Sequence, residues 1–457
     1  MRRVLFVGLL TLLACGDDKS EASQQASAEE SGRSAGEAGG VQEREASEAR
    51  TEGGATEPGD DPLEGLDDYE RLAAEPPDPV GELRPADRPA TTAPARGCVS
   101  LTEVPLRLWP RPGPANVTAV GPDGFVFAGY ARTATGSGEE VWAVALRRGG
   151  PARPILREDL PRALSVARTA PPGLGRLDDA HVGLATVDGS ASVRFTVVQT
   201  GGRPERWREV GGRADQRFAP AVAAVEGRHV VAYTDGGGDS MRLRYVAFDA
   251  TGRELARRDL TPASMGGAAP VAVDSTNELL FLDPREATSP LLRVDLSKDP
   301  LQAVVLVPLT NVYEPAAIAA AAVGETMLVG YTAVGMAAAT AVGLVAVRGG
   351  RAQGPIPLVA SRGYGLLHVD AATAGSRRAL FVADRPQGSG RDAAREVVAI
   401  LAEPTDAGVV LGVPLVLRAP DGTARWGRVA RHASGDYAVV VTAADGVYVH
   451  LLRCDEG

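Results

Sequence analysis

The chain has 457 residues, 5% of them aromatic, with 48 Lys and Arg against 58 Asp and Glu, a net charge of −10. The charge is unevenly placed: residues 16–97 hold 21 acidic and 8 basic residues, a net of −13, whereas residues 98–457 hold 37 and 38, a net of +1. The acidic balance belongs to one segment, and the near-neutral remainder gives no electrostatic case for nucleic-acid binding.

At the N-terminus, Arg2 and Arg3 precede an eleven-residue apolar run, Val4 to Ala14, that ends Leu12-Leu13-Ala14-Cys15. A charged start, a short apolar core and a small residue before the cut are what a secretory signal needs. The run is too short to remain in a bilayer as a spanning helix. Its ending resembles the lipobox of bacterial lipoproteins, a resemblance confined to about the first sixteen residues. The resemblance implies removal of residues 1–14, acylation of the Cys15 thiol and new amine, and a mature protein held to a membrane by lipid. Gly16, not aspartate, follows the cysteine. In such lipoproteins this implies the outer membrane of the cell envelope, on its periplasmic or its surface face.

From Gly16 to Gly97 the only aromatic residue is Tyr69, and Glu, Ser, Ala, Gly and Pro dominate. Such a stretch cannot bury enough apolar area to offset the entropy of ordering, so residues 15–97 read as a lipid anchor followed by a disordered tether. Over these 82 residues a flexible coil reaches about 50 Å root-mean-square, and like-charge repulsion extends it further.

Residues 98–457 read as an all-β domain. Short apolar runs are broken by turn signals such as Pro122-Asp123-Gly124, Asp188-Gly189 and Asp445-Gly446. A repeat narrows the architecture. Tyr233 follows His229-Val-Val-Ala and Tyr331 follows Met327-Leu-Val-Gly; each is trailed nineteen residues later by a glycine, Gly252 and Gly350, and Tyr130 stands at the same distance from Gly149. First strands placed at Val117, Ala163, Pro220, Ala268, Ala316, Leu366 and Ala424 give seven units of about fifty residues. Four strands per unit, repeated seven times, predict a β-propeller. The third unit is clearest, with strands at Ala219–Val225, His229–Thr234, Leu243–Asp249 and Glu254–Leu260.

The seventh unit supplies only three strands, Trp426–Ala433, Tyr437–Thr442 and Val447–Leu452, while a spare strand, Val99–Leu108, precedes the first unit. If that N-terminal strand completes the last blade, Cys98 begins where Cys454 ends, and a disulfide fastens the ring. An exported chain permits such a bond. The 22 residues from Thr326 to Val347 carry no charge and have the length of a membrane span. They align without gaps to residues 228–249, which hold Asp235, Asp239, Arg242 and Arg244, so the repeat assigns them to a blade.

No signature of zinc, nucleotide, α/β-hydrolase or dinucleotide chemistry occurs, and no cofactor is expected. His368 and His432 fall on proposed first strands, where two imidazoles facing a central channel can bind a metal or exchange a proton. Asp235-Gly-Gly-Gly-Asp239 places oxygen ligands on a loop but lacks the alternating spacing of a calcium loop. The pairs Glu139-Glu140 and Asp178-Asp179 suit solvated loops.

The expectation is a membrane-anchored, non-catalytic module that binds an envelope protein or polysaccharide. Two alternatives are a glycan-acting hydrolase or lyase with its site at the channel mouth, and a structural subunit docking through an apolar fifth blade around Met336. The low aromatic content weighs against a broad sugar-stacking platform.

Overall fold

The computed structural model describes residues 97–455 apart from internal stretches at 123, 134–137, 162–169, 202–203, 237–240, 262–268, 274–275, 284–287, 299–300, 311, 313–316, 335–339, 361–366, 388–393 and 407. Cys15 and residues 16–96 lie outside the described residues.

Two short strands come first, β1 (Cys98–Ser100) and β2 (Leu106–Trp109). Blade one is β3 (Ala115–Val120), β4 (Gly124–Arg132), β5 (Glu139–Arg147) and β6 (Ala152–Asp159). Blade two is β7 (Gly173–Arg176), β8 (His181–Val187), β9 (Val193–Gln199) and β10 (Arg208–Gly211). Blade three is β11 (Ala221–Val225), β12 (Arg228–Asp235), β13 (Arg242–Phe248) and β14 (Glu254–Asp259). Blade four is β15 (Val271–Ala272), β16 (Glu278–Leu282), β17 (Thr288–Asp295) and β18 (Ala303–Thr310). Blade five is β19 (Ile318–Val323), β20 (Thr326–Val334), β21 (Thr340–Arg348) and β22 (Arg351–Ala360). Blade six is β23 (Val369–Ala374), β24 (Arg378–Pro386), β25 (Arg395–Thr405) and β26 (Gly408–Leu411), with β27 (Leu415–Leu417) also on β25. Blade seven joins β28 (Arg425–Arg431), β29 (Asp436–Thr442) and β30 (Val447–Cys454) to β1, and β2 also pairs with β30.

The first strands of successive blades touch one another around a closed ring, and β28 of blade seven meets β3 of blade one. This is the seven-bladed propeller expected from the repeat. A blade between two neighbours is covered on both faces, which is why its middle strands read as continuous apolar runs. β4 is buried at eight of nine positions, whereas five of six residues of the outer strand β14 are exposed. On β12, Val231 and Tyr233 pack against Val187 and Phe195 of blade two, while Val230 and Ala232 on the other face pack against Leu279 and Phe281 of blade four. Each fully buried phenylalanine of this kind contributes about 2–3 kcal/mol. The closing seam is filled likewise, by Phe125 and Phe127 against Val440 and Val449.

The glycines of the repeat have a local cause. Gly149, Gly252 and Gly350 all occupy the turn from third to fourth strand with φ of 73°, 79° and 74°, a conformation that side chains with a Cβ adopt at a cost. The tyrosines are not equivalent, although their spacing is. Tyr233 and Tyr331 face the preceding blade, whereas Tyr130 faces the following one, where its hydroxyl accepts the Val187 N–H at 3.0 Å. A shift of one residue along a strand moves a side chain to the opposite face. In blade one the face toward blade seven carries Gly129, with Trp109 closely against it.

Unit boundaries also shift. Blade two starts at Gly173, later than the expected Ala163, which lies outside the described residues, as do Ala268, Ala316 and Leu366. Gly173 and Gly175 are required by close approach: a Cβ at either would run into a carbonyl of Pro220 or Val222 in blade three. The stretch Thr326–Val347 forms β20 and β21, and no helix among the described residues is long and apolar enough to cross a membrane.

Closure follows the expected plan in finer detail. The N-terminal strand is two pieces, β1 and β2, both on β30; Pro105 between them lacks the N–H a continuous ladder needs. Cys98 pairs directly with Cys454 across the ladder, and the two form a disulfide with Cα atoms 4.0 Å apart.

Candidate functional site

Every blade starts its first strand, ends its second and starts its third at the same end of the ring, called the entry end below. Buried polar groups gather there and tie blades together. Thr332 Oγ1 donates to the Leu367 carbonyl at 2.8 Å and Thr442 Oγ1 to that of Gly113 at 2.6 Å, each reaching the linker that leads into the next blade. Glu139 and Glu140 are buried at this end too, not solvated as their sequence suggested. Glu140 accepts hydrogen bonds from Trp142 Nε1 at 2.6 Å and Arg157 Nε at 2.9 Å, so its charge is neutralised in place. Asp178 and Asp179 are exposed, as expected.

Asp235 belongs to the same group of structural acids. It ends β12, accepts the Arg213 backbone N–H at 2.5 Å and pairs with Arg244 at 2.9 Å. Its oxygens are thereby committed to protein partners; Asp239 lies outside the described residues.

The two histidines are not brought together. His368 immediately precedes β23 at the entry end, whereas His432 follows β28 at the opposite end. His432 Nδ1 accepts the Ser434 backbone N–H at 3.1 Å, which leaves Nε2 to donate to the Gly121 carbonyl at 3.2 Å. It is 2% exposed and clamps blade seven to blade one. Among the described residues no three His, Cys, Asp or Glu side chains converge as a metal site.

His368 instead faces Trp426. Their rings meet edge to face at 6.0 Å, and the surrounding cluster at the seam of blades six and seven is unusual in three respects. First, β28 carries a bulge between Arg425 and Arg428, and Trp426 within it has a φ of 57°. A tryptophan in that region is strained, and bulges often re-aim a side chain beside a functional site. Secondly, Asp384 is completely buried beneath it, accepts the Trp426 N–H at 2.9 Å and lies 3.5 Å from Arg395. Burial pushes its pKa up to about 6 against the pull of Arg395. Thirdly, the guanidinium of Arg425 lies over the Trp426 ring, 4.5 Å from its centroid.

Two further acids lie at this end, Glu396 on the face of blade six toward blade five and Asp370 at the seam with blade seven. Glu396 accepts hydrogen bonds from Arg385 and Arg418 at 2.6 Å each and from Gln387 at 3.0 Å. Burial opposes its charge, but these hydrogen bonds outweigh it and keep the carboxyl below its ordinary range. Asp370 accepts the Val429 N–H at 2.8 Å with Arg428 beside it. Burial, reinforced by Arg428, Arg395 and Arg425, holds His368 well below the ordinary histidine range, so its ring is neutral near pH 7. A neutral imidazole can both donate and accept a hydrogen bond.

Sequence reasoning singled out His368 here but missed Trp426, Asp384 and Arg395. The one local signal is Arg425-Trp426-Gly427-Arg428, an aromatic between cations with a glycine inside a strand. A concavity of about 730 Å³ lies at the opposite end, in the cleft between blades four and five, with Asn277, Glu278 and Arg293 on one wall and Met327 and Val347 on the other.

No family model and no curated protein matches the chain. Solved structures do. The BP39L lectin from Burkholderia pseudomallei superposes with a TM-score of 0.52 at 14% identity, over 76% of this chain and 97% of the lectin. The NanB sialidase from Streptococcus pneumoniae matches with a TM-score of 0.39 at 10% identity, over 76% of this chain and 68% of the sialidase. At such identities the likeness to the lectin is one of architecture alone: the chain carries a β-propeller domain, here of seven blades.

Proposed function

We propose that the protein is an exported, lipid-anchored binding module that takes a saccharide of an envelope polysaccharide at the entry-end mouth of blades six and seven. The observation that carries this reading is Trp426. Its ring is half-buried at a bulge, its strained backbone is fixed by Asp384, and His368 and arginines surround it. An aromatic ring ringed by hydrogen-bonding groups suits a sugar, which has apolar C–H faces and polar hydroxyls. One such ring is sufficient for a single sugar unit, so the low aromatic content of the chain is no obstacle. The lectin likeness agrees with this reading without carrying it.

The acids at the mouth favour binding over hydrolysis. Glycoside hydrolysis needs two carboxyl groups about 5.5–9.5 Å apart with access to substrate. Asp384 is inaccessible, and Glu396 is clasped by three side chains on the face of blade six toward blade five. The signal and lipobox at Cys15 supply the address of the module, at the outer membrane.

A protein partner remains a second reading, favoured by the outer edge of blade four rather than by blade five. β18 carries no charge, and its Val304 and Val305 are 53% and 58% exposed. Met336 of blade five lies outside the described residues.

The test is capture of envelope polysaccharide by the full chain and by Trp426→Ala. Retention by the parent and at least tenfold weaker retention by the variant is the expected result. Equal retention removes the mouth from the reading, and recovery of a single protein in place of polysaccharide supports the second reading.

A further inference from the structure

The chemistry of the ligand can be narrowed, on the footing that the mouth of blades six and seven is the saccharide site proposed above. Residues 98–457 are close to neutral as a whole, with 38 basic and 37 acidic residues. At this mouth, however, the two signs are sorted by depth. The Asp384 carboxylate lies beneath, 0% exposed. Above it lie the guanidiniums of Arg395, 23% exposed, and of the exposed Arg425. Asp384 is matched by Arg395 at 3.5 Å and Asp370 by Arg428 at 3.9 Å.

Arg425 is the surplus charge. It is exposed, makes no ion pair among the described residues, and lies over the Trp426 ring, 4.5 Å from its centroid. An aromatic face holds a guanidinium in one plane and leaves its N–H edges directed outward, the geometry that meets a planar oxyanion with two parallel hydrogen bonds. Arg428, on the other side of the bulge, is tied to the Val369 carbonyl at 3.1 Å and balanced by Asp370 at 3.9 Å, which leaves Arg425 as the free cation of the pair among the described residues. The bulge, the strained Trp426 backbone and the buried acceptor below it together fix the place of the ring on which this guanidinium rests. A neutral sugar has no use for such an arrangement.

We propose that the ligand at this mouth is an acidic saccharide, whose ring-borne oxyanion, a carboxylate or a sulfate, is bound by the Trp426-stacked guanidinium of Arg425. Its hydroxyls are met by the neutral His368, beside the indole edge that the guanidinium leaves uncovered. Arg425 acts as the specificity-determining residue and Trp426 as the residue that positions it.

The experiment is titration of the purified full chain, at physiological ionic strength, with three oligosaccharides of matched length: oligogalacturonate, a sulfated dextran oligomer and unmodified dextran. The expected result is binding of one acidic oligomer at least tenfold tighter than dextran, with the carboxylate and sulfate arms identifying the anion. Arg425→Gln should abolish that preference and Arg425→Lys should restore only part of it, because the ammonium keeps the charge and loses the planar fork. An exposed side chain carries little stability, so unchanged thermal unfolding of both variants verifies that the fold is intact. Dextran binding as tight as the acidic oligomers, or a preference that survives Arg425→Gln, overturns the inference and leaves the saccharide reading standing. Binding of none of the three overturns both. Full competition by inorganic sulfate at the same concentration also overturns the inference, since the sugar then contributes nothing.

Discussion

Trp426 donates its backbone N–H to Oδ1 of Asp384 at 2.9 Å, across the seam that separates blade seven from blade six. The bond joins a strained backbone to a buried acceptor. At a φ of 57° a residue with a Cβ is disfavoured by about 1 kcal/mol or more. Trp426→Gly should therefore be more stable than Trp426→Ala by about 1 kcal/mol, although both lack the ring. Denaturant unfolding of the two variants measures the difference, and saccharide binding should be lost in both. If Ala is the more stable of the two, the backbone at this position is not strained.

The same aspartate gives the protein a pH dependence that a buried histidine opposes. Asp384, pushed up to about 6 by burial, takes a proton in the folded chain well before the unfolded chain does at its ordinary 3.8. It therefore adds stability as pH falls from about 6 to about 4, by about 3 kcal/mol in full. His450 on β30 is held down to about 4 by burial, whereas the unfolded chain protonates it near 6.5. Its contribution is lost as pH falls from about 6.5 to about 4, by a similar amount. Relative to the parent, Asp384→Asn should lose stability progressively over this interval and His450→Leu should gain it. Chemical denaturation at several pH values checks both signs.

Blade packing predicts a sharp contrast between two glycines. A Cβ on Gly175 would overlap the Val222 carbonyl oxygen of the next blade, and backbone cannot swing aside as a side chain can. Gly175→Ala should cost about 3 kcal/mol or more, at the upper end of overpacking effects. A Cβ on Gly201 meets nothing within 4 Å, and Gly201→Ala should shift stability by less than about 0.5 kcal/mol. Thermal unfolding of the pair distinguishes them readily.

The Cys98–Cys454 bond closes a loop of sequence separation 356. In the chain-entropy account such a crosslink contributes about 6 kcal/mol at most. Because β2 and the Phe125–Val449 seam also hold blade seven, the double variant Cys98→Ser/Cys454→Ser should stay folded with a lowered Tm. Its unfolding should become insensitive to reductant, while that of the parent should not.

What was legible in the sequence was whatever is decided locally. A turn that needs φ > 0 selects glycine wherever it occurs, so Gly149, Gly252 and Gly350 marked the repeat and its blades. Runs buried on two faces must be apolar throughout, so β20 and β21 were assigned to a sheet despite their membrane-like composition. The pairing of Cys98 with Cys454 followed from counting strands at the two ends of the domain.

What only the tertiary structure decided was which residues share a place. The face taken by Tyr130 depends on register, and a single-residue shift reverses it without altering any spacing in the sequence. His368 and His432 stood on neighbouring inner strands, yet strand direction puts them at opposite ends of the ring. Asp384 and Arg395 stand about forty and thirty residues before Trp426 and meet it because one blade's second strand ends, and its third begins, beside the start of the next blade's first. Side-chain chemistry at a seam belongs to two blades at once, and no local pattern records the meeting.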